Sequence, residues 1–341
     1  MTDDSSYAGA VVAYSTAMQK NHFEDAVIAG GGPIGLACAI SAKKCGIDPL
    51  IVEAGAIADA IVRYPIGMGF FTTPELLEIG GHPFVCTGQK PTREEALKYY
   101  RGVVRSDALR VRTYTRLVNA RRIGDVISCT LATSSGDDTV DCNRLVLATG
   151  YFGEPNLMSV SGESLPFVAH YFDEPHRSVG LDVVVIGGRN SAVEAALELF
   201  RAGAHVTVVY RGTSFPHSVK YWVKPDIENR IAAGEISARL GANVLRIEPG
   251  AVIVRNADDV EESLHADRIY ALTGFRADFA LFRRLGIELE PDTERASVNP
   301  DTLETNVPGI YMAGSIVAGR FTSGIFIENG RFDGDKIFRC Q

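Results

Sequence analysis

Two stretches of the chain run through the same order of apolar and polar positions. The first opens with Asp25-Ala26-Val27-Ile28-Ala29, breaks into Gly30-Gly31-Gly32-Pro33-Ile34-Gly35, and continues as a mostly apolar run from Leu36 to Cys45. A second short apolar run, Pro49 to Val52, ends at Glu53. The second stretch opens with Asp182-Val183-Val184-Val185-Ile186 and breaks into Gly187-Gly188-Arg189-Asn190-Ser191-Ala192. The run Val193 to Arg201 follows, closed by Gly203, and His205 to Val209 leads into Tyr210-Arg211. Apolar runs of four or five residues bounded by glycine predict buried parallel strands; the longer runs predict helices. Each stretch therefore reads as strand, glycine turn, helix, strand.

The two units share a tail. Short alternating strands are predicted near 109–142 and 236–265. They lead to Leu145-Val146-Leu147-Ala148-Thr149-Gly150 and Ile269-Tyr270-Ala271-Leu272-Thr273-Gly274. One more buried strand is predicted in Ile310-Tyr311-Met312-Ala313-Gly314-Ser315, before a helix from about Gly324 to Phe338. Residues 1–22 precede the first strong strand and read as an arm. The 341 residues suit about two domains, and 46% hydrophobic with 22% charged residues is the balance of a folded chain. No apolar run is long enough for a membrane span. The net charge of −8 argues against nucleic acid as partner.

Strand, glycine turn and helix in that order is the context of a dinucleotide-binding fingerprint. Glycines permit the tight turn and the close approach of a pyrophosphate, which helix-N-terminal amides then hold. The residue ending each second strand selects the nucleotide. Glu53, with Ala54 beside it, suits the ribose hydroxyls of an adenosine and repels a 2′-phosphate. The second unit has Tyr210 there, with Arg211 and, downstream, Lys220 as phosphate partners. That pattern favours NADPH. Arg189 departs from the fingerprint, standing where its second glycine belongs.

Six cysteines are present: Cys38, Cys45, Cys86, Cys129, Cys142 and Cys340. No pair has CxxC or CxxxxC spacing, so the cysteine pattern supports no metal site. A core of this size needs no disulfide framework, and a reducing cytoplasm is the expected setting.

The whole arrangement after residue 22 resembles the flavoproteins of the thioredoxin reductase type. That likeness implies an α/β fold of two Rossmann-like dinucleotide-binding domains, the NADPH domain (153–267) inserted into the FAD domain (23–152 and 268–341). Narrower stretches carry a closer resemblance: Arg63-Tyr64-Pro65, Phe70-Phe71, Leu77-Glu78-Ile79-Gly80, Ala148-Thr149-Gly150-Tyr151, His170-Tyr171-Phe172 and Ile325-Phe326-Ile327-Glu328-Asn329-Gly330-Arg331-Phe332. With Gly187-Gly188-Arg189-Asn190-Ser191, they look like the bacillithiol disulfide reductases of YpdA type. Those are FAD enzymes that use NADPH and lack CxxC.

The resemblance implies that FAD meets Gly30, Gly32, Pro33, Ile34, Gly35, Glu53, Ala54 and Ala148-Thr149-Gly150. Leu117 then flanks the adenine, and Arg63, Tyr64 and Phe70 wall the flavin. At the C-terminal end, Gly314-Ser315 and Gly324-Ile325 join them. Ser315 stands where relatives have Asp, and Ser323-Gly324-Ile325 begins a helix aimed at the flavin. NADPH meets Gly187, Gly188, Arg189, Asn190, Ser191, Ala192, Tyr210, Arg211, Lys220, Thr273 and Gly274. One departure concerns the chemistry. The family carries cysteine directly after Gly-Gly-Gly-Pro, and here Ile34 occupies that place. Cys38 and Cys86 are the remaining thiol candidates. The expected acceptor is a small disulfide of the bacillithiol kind, handled by a homo-oligomer. A ferredoxin or flavodoxin acceptor, an oxygenase and a nucleotide-binding sensor are the other readings.

Overall fold

The computed structural model describes residues 22–321 and 324–340. The arm expected over 1–22 therefore lies outside the described residues except for His22, and so does Ser323.

The first unit is built on β1 (His22–Ala29), which becomes fully buried toward its glycine turn. Helix α1 (Pro33–Lys44) starts at Pro33, whose fixed φ and missing N–H suit the first helical position. Lys43 and Lys44 sit in its last turn, where the helix dipole favours cations. The chain then forms β2 (Leu50–Val52), the short helices α2 (Asp59–Val62) and α3 (Pro74–Leu77), and α4 (Arg93–Ser106). Thr92 and Glu95 close α4 with a reciprocal capping box. After β3 (Arg110–Arg112) come β4 (Arg116–Ile123), β5 (Val126–Thr133) and β6 (Gly136–Leu147). Sheet order is β3-β2-β1-β6-β5-β4, parallel from β3 to β6 and antiparallel through β5 and β4. The separate strand expected at 145–150 is instead the last part of β6, because the meander runs straight into the parallel sheet.

The second unit has β7 (Glu154–Pro155), β8 (Val168–Ala169), β9 (Asp182–Ile186), α5 (Asn190–Ala202), β10 (His205–Tyr210), α6 (Lys224–Ala232) and β11 (Ser237–Leu240). Three further strands, β12 (Asn243–Glu248), β13 (Ala251–Arg255) and β14 (Glu261–His265), form their own antiparallel sheet. β15 (Arg268–Ala271) then pairs with β9 and β8, giving the parallel order β11-β10-β9-β15-β8. Residues 268–271 thus belong to the second sheet, and the boundary expected at 268 falls short of the crossing. The chain returns through β16 (Phe275–Arg276), which pairs antiparallel with β7. Helix α7 (Phe279–Arg284) packs on the first unit's core. β17 (Ile310–Met312) then lies parallel to the end of β6.

The single helix expected from 324 to 338 is two short ones, α8 (Ile327–Gly330) and α9 (Asp333–Ile337). The break lets Asp333 turn back and accept the amide of Gly314 at 2.8 Å. Helix α9 lies tightly on α1: a Cβ on Gly334 would stand 2.7 Å from the Cα of Cys38. Nearby, Cys45 and Cys340 are joined by a disulfide across 295 residues of sequence. The expectation of reduced cysteines fails at this pair, because β17 and α9 return the C-terminus to the end of α1. Among the described residues, no helix is long and apolar enough to cross a membrane.

Candidate functional site

A cleft of about 1850 Å³ reaches from the glycine turn of the first unit to that of the second. At its first end Gly30 has φ of +116°, and a Cβ there would lie 2.3 Å from the carbonyl oxygen of Ala148. Gly35 is equally constrained, its Cβ position being 1.9 Å from the Gly30 oxygen. These contacts press the turn, α1 and the end of β6 into one piece. Gly32 is different: a Cβ would meet nothing within 4 Å, so the space before the helix amides is open. The room and the donors that a pyrophosphate needs are both present, and the residues fit a dinucleotide.

Glu53 is buried at the end of β2. Its Oε2 accepts the amide of Gly31 at 2.6 Å and its Oε1 that of Gly55 at 2.8 Å. Burial pushes its pKa up, while the two amides and Arg116 pull it back. Ala54, Arg116 and the largely buried Leu117 line the same end, and Ala148, Thr149 and Gly150 line the middle. Sequence reasoning missed Arg116, which carries no motif. It also missed Asp333, whose pairing with Gly314 depends on the return of the C-terminal strand.

Ile34 lies at the start of α1 and lines the cleft with Ser315 and Ile325. It packs so closely that Cβ atoms on Gly314 and Gly330 would come within 3.2 and 3.0 Å of it. Tyr64 also lines the cleft, edge-on to Phe70 at 6.0 Å and to Phe152 at 5.1 Å. Arg63 is on the wall too, but its guanidinium is committed: Nε donates to Asp59 at 2.7 Å and Nη1 to the Tyr171 hydroxyl at 3.2 Å. Gly314, Gly35, Ala192 and Gly324 are not lining residues; Gly35 packs on the Gly30 carbonyl, Gly314 on the Ile34 side chain, and the Ala192 methyl lies against Gly187.

The second glycine turn repeats the first. Gly187 has φ of +141° and a Cβ position 2.4 Å from the Leu272 oxygen, as Gly30 has to Ala148. The ring of Tyr210 lies over Gly188, as Glu53 lies over Gly31. Arg189 caps α5 in an extended conformation with its side chain exposed, so no second glycine is required there. Arg189 and Arg211 both line the cleft, with no ion pair among the described residues. Asn190 is used locally, its amide donating to Ser218 and its oxygen accepting the Lys220 amide. Ser191, Thr273 and Gly274 complete this end.

Lys220 is not the free phosphate partner its position suggested. Its ammonium meets Glu194 at 3.3 Å and sits directly over the ring of Phe71, an aromatic of the first unit. Burial, opposed by Glu194, lowers its pKa to about 8.

No cysteine lines the cleft. Cys38 is wholly buried in α1, and burial followed by Asp333 and Asp335 raises its thiol far above the reactive range. The Cys86 thiol donates to the Gly88 carbonyl at 3.0 Å, and burial, then Glu95 and Glu75, raises its pKa. Neither is an activated nucleophile.

The chain matches the pyridine nucleotide-disulphide oxidoreductase family over residues 27–314. It is 41% identical to bacilliredoxin reductase Bdr of Bacillus subtilis (strain 168), over 92% of this chain and 96% of that protein. The solved bacillithiol disulfide reductase Bdr (YpdA) from Bacillus cereus superposes with a TM-score of 0.90 at 41% identity, covering 93% of this chain and 98% of that one. The T. acidophilum thioredoxin reductase shares the fold, with a TM-score of 0.72 at 18% identity over 93% and 97% of the two chains. With two fingerprints facing one cleft, the chain belongs to the pyridine nucleotide-disulphide oxidoreductases, in the Bdr (YpdA) branch, and is an FAD-dependent NADPH oxidoreductase.

Proposed function

We propose that this enzyme oxidises NADPH at the second unit and delivers the electrons, by way of FAD in the first, to a low-molecular-weight disulfide of the bacillithiol type. The observation that carries the reading is the single cleft running between the two glycine turns, with Glu53 at one end and Arg211 at the other. Bound FAD supplies two-electron transfer between a nicotinamide and an acceptor.

The chain's own residues supply the rest. Gly30, Gly32, Pro33 and the first amides of α1 receive the FAD pyrophosphate, and Glu53 with Ala54 receives the adenosine ribose. Leu117 flanks the adenine. Ala148, Thr149, Gly150, Ser315 and Ile325 line the path to the flavin ring, which Ile34, Tyr64 and Phe70 wall. In the second unit Gly187, Gly188, Asn190 and Ser191 receive the NADPH pyrophosphate, with Thr273 and Gly274 on the nicotinamide side. Arg211 and Arg189 lie open to the extra phosphate. The reading places a homo-oligomer in the cytoplasm, where small thiols are kept reduced.

Ile34 favours a second reading of the acceptor. A disulfide is opened by a thiolate or by direct attack of reduced flavin, and the cleft has no protein thiol. An acceptor that needs no protein thiol, such as a small redox protein, fits that wall equally well. The deciding measurement follows flavin bleaching by NADPH, then re-oxidation by bacillithiol disulfide and by ferredoxin. Bleaching followed by re-oxidation with the disulfide supports the first reading. Re-oxidation by ferredoxin alone supports the second, and no bleaching overturns both.

A further inference from the structure

Two motifs that stand out in the sequence, Arg63-Tyr64-Pro65 and His170-Tyr171-Phe172, meet across the boundary between the units. Arg63 directly follows α2 of the first unit, and Tyr171 follows β8 of the second. The backbone link between the units is slight. The outgoing β7 pairs with the returning β16 over two residues each, Pro155 opposite Phe275 and Glu154 opposite Arg276. The Asn156 amide adds a bond to the Gly274 carbonyl at 2.9 Å. A two-stranded ribbon of this length is marginal alone, and Pro155 has no N–H to give it. The angle between the units therefore depends on side chains laid across the ribbon.

Tyr171 is such a side chain. Its hydroxyl donates to the Phe152 carbonyl at 2.9 Å, with the Gly153 carbonyl at 3.3 Å, both just before β7. The same oxygen accepts Nη1 of Arg63 at 3.2 Å. One hydroxyl thus spends its proton on the crossing and a lone pair on the first unit. Arg63 is itself fixed: Nε donates to Asp59 at 2.7 Å, and Asp59 accepts the Ala56 amide at 3.1 Å. The Ile66 amide donates to the Asp173 carbonyl at 2.8 Å, a second bond between the same two segments. Phe152 fills the space between them, edge-on to Tyr171 at 5.6 Å and to Tyr64 at 5.1 Å, and 4.1 Å from Phe275. Tyr64 belongs to the first unit's wall of the cleft, and Phe275 directly follows Thr273-Gly274 on the second unit's side.

We propose that Tyr171 and Arg63 are positioning residues for the NADPH-to-FAD step, locking the β7–β16 ribbon so that the two glycine turns face one cleft. The inference rests on the first half-reaction of the proposed function and is the same for either acceptor. In that step a hydride leaves the nicotinamide, which is oxidised, and reaches the flavin, which is reduced; neither Tyr171 nor Arg63 carries the electrons. Such transfer needs reacting atoms about 3–3.5 Å apart, and a misplacement of about 1 Å costs on the order of a hundredfold. A clamp between the two walls of the cleft acts on that distance.

Tyr171→Phe keeps the ring and removes only the hydroxyl; Arg63→Met keeps the stem and removes the fork. Flavin bleaching of the FAD-loaded full chain is followed by stopped flow over a range of NADPH concentrations. At saturation each variant should bleach about tenfold or more slowly. Half-saturating NADPH and FAD content should be unchanged. The double variant should be no slower than the slower single one, since both break one linkage. Amide hydrogen exchange without NADPH gives a readout independent of turnover. At 152–156 and 274–276 it should speed up about tenfold or more in each variant, while β9 and β10 keep their protection. The proposal is overturned if exchange at the ribbon is unchanged, or if bleaching stays the same or quickens. It is equally overturned if the loss appears in half-saturating NADPH, which would make the pair a coenzyme contact. A wild type that does not bleach overturns the proposed function itself, a failure distinct from a variant that bleaches at the wild-type rate.

Discussion

Glu53 and Gly31 are bound to each other, carboxylate Oε2 to amide nitrogen at 2.6 Å across 22 residues. The acid is thus held directly over the glycine turn before any nucleotide arrives. A hydrogen bond to a charged group contributes about 1.5–3 kcal/mol. Glu53→Ala should therefore weaken FAD binding about ten- to a hundredfold, read by equilibrium flavin fluorescence. The pH dependence has a definite sign. Burial raises the Glu53 pKa, so its proton is taken up early as pH falls, and the ribose loses its acceptor. For folding the sign is opposite. Between the unfolded and folded pKa values the native chain binds more protons, so this group adds stability as pH falls. Flavin release on acidification should therefore precede any loss of fold attributable to Glu53.

The same place in the second unit holds Tyr210, whose neighbour Arg211 lines the cleft without an ion-pair partner among the described residues. Arg211→Ala should raise the KM for NADPH by about ten- to a hundredfold and leave that for NADH nearly unchanged. Equal losses with both coenzymes would give Arg211 a structural role.

What the sequence made legible is what the backbone itself demands. Gly30 and Gly187 could be picked out because a positive φ and contact with a neighbouring strand exclude any Cβ, and the pattern of turn and helix announces that need. Partners distant in sequence were not legible. The bond of Arg63 to the Tyr171 hydroxyl spans 108 residues of sequence and has no local signal. Lys220 looks like a phosphate ligand until Phe71 of the other unit covers it. Asp333 and the Cys45–Cys340 bond depend on where the C-terminus returns, which no local period encodes.

Lys220 gives a titration that can be watched. Trp222 is the only tryptophan of the chain, and the Lys220 ammonium lies 5.8 Å from its ring. Burial lowers the lysine pKa to about 8, so the charge disappears above that pH while an unfolded lysine keeps its proton to 10.5. Between pH 8 and 10.5 the unfolded chain binds more protons, and this group makes the fold more stable as pH rises. Tryptophan emission should change with a midpoint near pH 8 in the wild type and lose that transition in Lys220→Met.

The disulfide closes nearly the whole chain into one loop. Cross-linking so long a loop constrains the unfolded state, with stabilisation typically about 2–4 kcal/mol. Cys340→Ser should lower Tm by roughly 4–8 °C. Flavin content should stay the same, since Ser41 and Asp335 still hold α9 to α1 at 2.7 Å. An unchanged Tm under non-reducing conditions would mean that the bond does not form in solution.

Ile34 separates the two half-reactions. Hydride transfer from NADPH to a bound flavin needs only alignment, which an isoleucine on the wall does not disturb. Opening a disulfide needs a thiolate or direct attack by reduced flavin, and neither Cys38 nor Cys86 supplies a thiolate at the cleft. The wild type should therefore bleach rapidly with NADPH yet turn over bacillithiol disulfide slowly. Ile34→Cys places a thiol at the N-terminus of α1, where the helix dipole lowers its pKa. Cysteine is smaller than isoleucine, so the glycines at 314 and 330 accommodate it, at the cost of a small cavity. If the cleft serves this substrate, Ile34→Cys should raise disulfide turnover about tenfold or more without altering flavin bleaching, and Cys86→Ser should change neither rate. Fast wild-type turnover abolished by Cys86→Ser would move the chemistry to that loop thiol and refute the assignment. Turnover absent from every variant, with bleaching intact, would point to a protein acceptor.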